Sequence, residues 1–180
     1  TYAFSENYVL PFSHDEVVHG KLSLIGRIPT GYEDKFSGLK TLLSYQIAHP
    51  GKKLNFMGNE FAQFIEWDNK KQLDWLLLDY PAHVSFREFV KDLNHFYLDN
   101  KPLYEQDNTY DGFKWTVVDD NMQNIIVFNR YAKNGDSLIF VANFSMAERD
   151  GYEFGVDKKG LYEVVLHTES EKYGGKVSDG

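Results

Sequence analysis

The apolar residues of this chain change period near Leu103, and that change decides what each half can fold into. Between residues 33 and 49, Phe36, Leu39, Leu42, Leu43 and Ile47 fall on one helical stripe. The acids Glu33 and Asp34 stand at its start, where a helix dipole favours negative charge, and Pro50-Gly51 ends it. A second stripe of Phe86, Phe89, Val90, Leu93, Phe96 and Tyr97 opens at Pro81 and closes before Pro102. Residues 8–12 read as a strand, and residues 53–57, bounded by Gly51 and Gly58, read as a buried strand. Residues 58–80 are rich in Asn, Asp, Glu and Trp and form a long loop, a length that usually accompanies function or disorder. After Leu103 the period shortens. Residues 113–119, 124–131, 137–144, 152–156 and 161–168 are five β-prone runs separated by turn-forming Asp-Asn, Asn-Gly-Asp, Asp-Gly and Lys-Gly pieces.

Strand, helix, strand, helix over residues 1–102 reads as consecutive β/α units of a parallel sheet or barrel. The five runs over residues 103–180 predict an antiparallel sandwich or meander, so the expected class is α/β plus all-β. Two β/α units cannot cover both faces of a parallel sheet, and the polar tail from Glu169 stops without a completing strand. The expectation is a portion of a longer polypeptide, prone to associate when isolated because strand edges and apolar helix faces stay open.

Composition narrows the function. A chain of 180 residues that is 42% hydrophobic and 26% charged is too apolar for a disordered tail. Its 27 acidic residues outnumber 19 basic ones, and no run of Lys or Arg exceeds two residues, so a surface that tracks nucleic-acid phosphates is not expected. The longest apolar runs, residues 75–78 and 138–142, are far short of the roughly 18 residues a membrane span requires. Thr1 to Glu6 lack the basic and apolar regions of a secretory signal, and the absence of Cys fits a reducing cytoplasm. A neutral partner suits this surface, and 12 Tyr, 14 Phe and 3 Trp supply apolar faces for cores or for stacking on sugars.

The densest chemistry lies in Ser13-His14-Asp15-Glu16-Val17-Val18-His19. The two His are five residues apart, which does not match the i, i+4 spacing of a helical zinc site, and no metal is expected. Two readings of this segment stand: a solvated strand end, or His14 and Asp15 directed into a cleft at the C-terminal end of a barrel strand, where catalytic groups of such folds sit. No phosphate loop, dinucleotide fingerprint or nucleophile triad appears, so no cofactor is implied.

The ordered series Leu10-Pro11-Phe12-Ser13-His14-Asp15-Glu16-Val17-Val18-His19-Gly20-Lys21, then His49-Pro50-Gly51-Lys52-Lys53-Leu54-Asn55-Phe56-Met57-Gly58-Asn59-Glu60-Phe61-Ala62-Gln63, then Glu66-Trp67 and Leu73-Asp74-Trp75, resembles the 1,4-α-glucan branching enzymes of the α-amylase superfamily. The resemblance covers nearly all of the first half. The second half resembles that family's C-terminal β domain in position and pattern, without a distinctive motif. It implies the last two strands of a (β/α)8 TIM barrel near residues 8–12 and 54–57, followed by a truncated β-sandwich domain. It also implies transfer of an α-1,4-glucan segment to a 6-hydroxyl, in glycogen or starch. Asp15 matches the carboxylate that stabilises the transition state, and His14 the adjacent substrate-binding histidine. Retention needs a nucleophile and a general acid, which sit on earlier strands in that family and match no residue here, so this stretch alone is expected to be inactive. Glu60 and Trp67 are further substrate-binding candidates. For Glu60 a loop-capping role weighs as much as a cleft role, and for Trp67 and Trp75 burial weighs at least as much as sugar stacking. Asp68 and Asp74 read as loop-forming carboxylates, and His19 and Lys21 as residues bordering the cleft. The competing functions are an α-amylase-type hydrolase or debranching relative, and a non-catalytic glucan-binding module.

Overall fold

The computed structural model describes Phe4 and residues 6–178; most of the N-terminal stretch that bears on a secretory signal lies outside them. The first half is one β-α-β unit followed by a helix. Strand β1 (Val9–Phe12) leads through two short turns to helix α1 (Tyr32–Ala48), strand β2 (Lys52–Asn55) follows, and helix α2 (Pro81–Asp99) closes the half. β1 and β2 pair in parallel, with Val9 opposite Lys52 and Phe12 opposite Asn55. Gly51, at φ 115°, makes the sharp return from α1; a Cβ there would meet Leu10 Cγ and the Tyr8 carbonyl, each at 3.2 Å. Gln46 of α1 donates through Nε2 to the carbonyls of Leu10 at 2.8 Å and Leu54 at 3.0 Å, fixing the helix across both strands.

The helical stripes are the core. Phe36, Leu39, Leu43 and Ile47 of α1 meet Phe86, Phe89, Val90 and Leu93 of α2 in a cluster that extends to Leu24, Leu103 and Phe128. The loop over residues 58–80 holds two short 3-10 turns, Asn59–Phe61 and Trp75–Asp79. Buried His83 ties it to α2 by donating from Nδ1 to the Phe61 carbonyl at 2.8 Å. The β2 segment is less enclosed than its composition predicts: Leu54 is 41% exposed. Within the described residues β2 has β1 as its one neighbour, and a parallel strand is enclosed only when helices and further strands cover both sides.

The second half forms a three-stranded antiparallel meander, β3 (Phe113–Asp120), β4 (Ile125–Tyr131) and β5 (Ser137–Asn143), in the order β3-β4-β5. Two expected strands, residues 152–156 and 161–168, are not strands. Leu161 is fully exposed and Val164 is 76% exposed, so their β-prone side chains find neither a ladder nor a packing face among the described residues. A second sheet, and with it a sandwich, is therefore absent among those residues. A helix takes the place of the facing sheet: Tyr45 of α1 packs against Phe128 and Phe140, with ring centroids 6.2 Å apart in each pair. The tail returns to the helices, where buried Lys40 pairs with Glu169 at 3.1 Å and the Tyr173 hydroxyl donates to Asp92 at 2.8 Å. No helix among the described residues is long and apolar enough to cross a membrane.

Charged groups join the two halves. Arg130 of β4, fully buried, donates to the carbonyls of Ala48, Leu103 and Gly112 and to Asp107, whose other oxygen meets Lys52 of β2 at 3.1 Å. Lys53 lies beside them, donates to the His49 and Gly51 carbonyls, and sits 5.6 Å from the Tyr97 ring centre. Burial pulls the Lys53 ammonium down to about 7; Asp107 opposes the shift and Arg130 adds to it. The unfolded chain holds this proton up to about pH 10.5, so between about 7 and 10.5 it binds more protons than the folded chain and stability rises with pH. Below about 7 the penalty is fully present. Urea midpoints taken from pH 7 to 10 are expected to climb, and Lys53→Met is expected to flatten that climb. An unaltered pH slope in the variant would remove Lys53 as its source.

Candidate functional site

β1 delivers the chain into a turn that Ser13 and Glu16 hold in place. The Ser13 hydroxyl accepts from the Asp15 N–H at 3.2 Å, while Glu16 Oε2 accepts from the Ser13 N–H at 2.6 Å and from its hydroxyl at 2.8 Å. This is a capping box, S-x-x-E, on a single turn of 3-10 helix over His14–Glu16. Burial pushes the Glu16 carboxyl up, but the Ser13 donors outweigh it and hold the group below its usual range. The capping carboxylate is thus ionised at neutral pH, and the turn is fixed without using the side chains of His14 or Asp15.

Those two side chains face outward. His14 Nε2 stands 3.3 Å from Asp15 Oδ1, and the side chains are 55% and 69% exposed. Behind the imidazole, Phe56 lies at 6.0 Å and Trp67 at 6.3 Å between ring centres, and these two rings meet edge to face at 5.1 Å. Phe56 follows β2 directly, so the parallel pairing of β1 and β2 sets the distance between the His-Asp turn and its aromatic wall. The Trp67 N–H donates to the Val17 carbonyl at 3.0 Å, which fixes the second loop against the first.

Glu66 adds a second tie. Its two oxygens accept from the N–H groups of Leu22 at 2.7 Å and Gly20 at 3.1 Å. His19, Gly20 and Leu22 all have left-handed backbone, at φ 60°, 76° and 66°, a costly run for His and Leu that the Glu66 clamp over-determines. Lys21 donates from Nζ to the Asp15 carbonyl at 2.7 Å, so the rim of the site is tied to its centre.

The structure therefore brings together His14, Asp15 and Trp67, with Phe56 between them. It places Glu60 in a separate turn, where Oε2 accepts from the Gly58 N–H at 2.7 Å. That is the loop-capping geometry, and its other oxygen remains available. Trp75 stacks on Phe61 at 5.2 Å and stays half exposed. Asp68 accepts from the Lys70 N–H at 2.9 Å, the bond of a loop-forming carboxylate. The described residues contain no group of three or more His, Cys, Asp or Glu side chains placed to hold a metal ion. Sequence reasoning gave no role to Ser13, Glu16, Glu66 or Phe56. The S-x-x-E spacing was a readable signal for the first two; nothing local marks the others.

An outward carboxylate and imidazole at the C-terminal end of a parallel strand, backed by an aromatic wall, can hydrogen-bond the hydroxyls of a neutral ligand and favour positive charge developing beside Asp15. Residues 115–180 match the family model of the alpha amylase C-terminal all-beta domain. Over 97% of its length the chain is similar to 1,4-alpha-glucan branching enzymes GlgB: 50% identical over 175 residues to that of Halothermothrix orenii, 48% over 174 residues to that of Photobacterium profundum, and 49% over 175 residues to that of Aquifex aeolicus. The chain spans 28%, 24% and 28% of those relatives, about a quarter of their length. It is thus homologous to part of a branching enzyme, as the ordered motifs of its first half implied.

Proposed function

We propose that this chain is the part of a 1,4-α-glucan branching enzyme that carries His14 and Asp15 to the cleavage subsite. The whole polypeptide would move an α-1,4-glucan segment onto a 6-hydroxyl with retention, acting on glycogen or a starch-like glucan in the cytoplasm. In this reading β1 and β2 are the last strands of a (β/α)8 barrel, residues 1–102 belong to it, and residues 103–180 to the β domain. The observation that carries the proposal is the coincidence of 50% identity over 97% of the chain with an outward His14–Asp15 pair, 3.3 Å apart, just beyond a parallel strand.

The chemistry follows from that placement. Retaining transfer runs through a covalent glycosyl intermediate and an oxocarbenium-like transition state on each side of it. Asp15, held by a turn that does not consume its side chain, accepts from sugar hydroxyls whose acidity rises as the ring gains positive charge. Its bonds therefore tighten in the transition state more than in the bound substrate. His14 donates to the same sugar and keeps Asp15 oriented, while Trp67 and Phe56 close off one side of the subsite. The nucleophile and general acid are assigned to no residue of this chain, and Glu60 is kept as a binding residue through its second oxygen.

The test uses the complete polypeptide on amylose. Iodine staining is expected to fall while the number of reducing ends stays constant, because transfer conserves them. Reducing ends that rise in step with the loss of stain would make the protein a hydrolase and overturn the proposal.

A further inference from the structure

The β3–β4 hairpin carries a hollow that shares no residue with the His14–Asp15 cluster. It opens at the end of β3, holds about 130 Å³, and has Val118, Ile125, Ile126 and Phe144 as its apolar lining with Asp120, Asn121 and Asn124 around it. That volume is below the roughly 300 Å³ of an enclosed small-molecule site, so the hollow is a shallow surface subsite for a single ring. Asp120 is held in place, since its oxygens accept from the Gln123 N–H at 3.1 Å, the Gln123 amide at 3.2 Å and the Tyr152 hydroxyl at 2.9 Å. Asn124 sits at φ 55°, and its main chain is fully used, donating to the Asp120 carbonyl and accepting from the Phe144 N–H, each at 2.9 Å. The side-chain amides of Asn121 and Asn124 are exposed and make no hydrogen bond among the described residues.

The lining excludes three ligand classes in turn. No Lys, Arg or His faces the hollow and Asp120 repels negative charge, so an anion is not held. A single carboxylate that already accepts three hydrogen bonds is a poor cation ligand, which would need several more oxygens. A purely apolar molecule would leave Asn121, Asn124 and Asp120 facing carbon. What remains is a neutral molecule with one C–H face and hydroxyls around its edge, which is a sugar ring. Its C–H face would lie on half-exposed Phe144, and adjacent hydroxyls would bridge each amide's oxygen and NH2 group. We propose that this hollow is a second glucan-binding subsite, taking a glucose unit of an α-glucan chain and holding the polymer on the β domain. The choice of α-glucan over another neutral sugar rests on the branching-enzyme reading; the hollow itself does not.

The experiment is retardation of the complete polypeptide in native gels containing glycogen, with maltoheptaose titration by calorimetry. Two variants are compared with the wild type: Asn121→Ala with Asn124→Gly, which keeps the left-handed backbone permissible, and Val118→Arg, which fills the hollow from a strand position that is 58% exposed. The double variant is expected to weaken retardation roughly fivefold, the loss of about one net hydrogen bond, and Val118→Arg at least as much by occupying the hollow, both with unaltered thermal melts. Wild-type retardation in both variants, or no retardation of the wild type itself, overturns the subsite. If the variants lose retardation while the wild type forms no branches, the subsite stands and the branching reading falls. If the wild type forms branches and the variants are retarded as it is, the branching reading stands and the subsite falls.

Discussion

Asp15→Asn in the complete polypeptide is expected to lower kcat by two to three orders of magnitude, roughly 3 to 4 kcal/mol in the barrier, with glucan affinity changed by less than about threefold. The asymmetry follows from how Asp15 is held. Its backbone fixes the turn, through the N–H donated to Ser13 and the carbonyl that accepts from Lys21, while its side chain is 69% exposed and among the described residues meets only His14. An amide of the same shape keeps the turn and can still accept from a sugar hydroxyl. What it lacks is the negative charge that the flattened, positively charged ring requires, so the loss is confined to the transition state. Steady-state kinetics on amylose, with affinity measured separately, decides the matter. A near-normal kcat would remove Asp15 from the chemistry, and an equal loss in kcat and affinity would make it a binding group. Asp68→Asn serves as the control, since that carboxylate is bound to its own loop and should leave both quantities unchanged.

How much of this site was legible varies with the range of the interactions. His14 and Asp15 were legible because the motif around them is contiguous, and the two adjacent side chains stay together in almost any turn. Trp67 was legible as a member of the series, but its closeness to His14 was not, for that depends on the β1–β2 register and on the Trp67–Val17 bond across 50 residues. Glu66 shows the same limit. A carboxylate one residue before a Trp says nothing of the left-handed loop, 44 to 46 residues earlier, that it clamps.

The fold divides similarly. Both long helices could be placed to within a residue or two because an amphipathic stripe and its stop signals are local, and three of five β-prone runs became strands. The other two, residues 152–156 and 161–168, also carry aromatic and β-branched residues, as β5 does. What separates them is a ladder partner, a non-local property that no propensity contains. The helix in place of a second sheet was hidden for a related reason: Tyr45 is legible as part of an amphipathic helix, whereas its contact with Phe128 and Phe140 requires both halves to be folded.

Arg130→Met is expected to cost about 3 to 5 kcal/mol, a large share of a typical domain's stability of roughly 5 to 15 kcal/mol. The guanidinium is fully buried and serves four acceptors: the carbonyls of Gly112 at 3.1 Å, Ala48 at 2.6 Å and Leu103 at 3.2 Å, and Asp107 at 2.7 Å. Met fills most of the volume but leaves three carbonyls without this donor, and Asp107 with Lys52 as its remaining charged partner. Arg130→Lys should rescue little, because one ammonium on a flexible stem cannot reach acceptors that the planar fork meets from three sides. Arg130→Met with Asp107→Leu should cost less than the sum of the two single changes, since the second removes the charge that the first leaves poorly compensated. The Ala48 carbonyl belongs to the last turn of α1 and Arg130 to β4, so this one side chain couples the helical half to the sheet. Urea denaturation gives the size of the loss, and hydrogen exchange tests the coupling. Amides of α1 and β4 should lose protection together in Arg130→Met. A loss below about 1 kcal/mol, or opening confined to β4, would show that the apolar cluster around Leu103 and Phe128 holds the halves together without the buried cation.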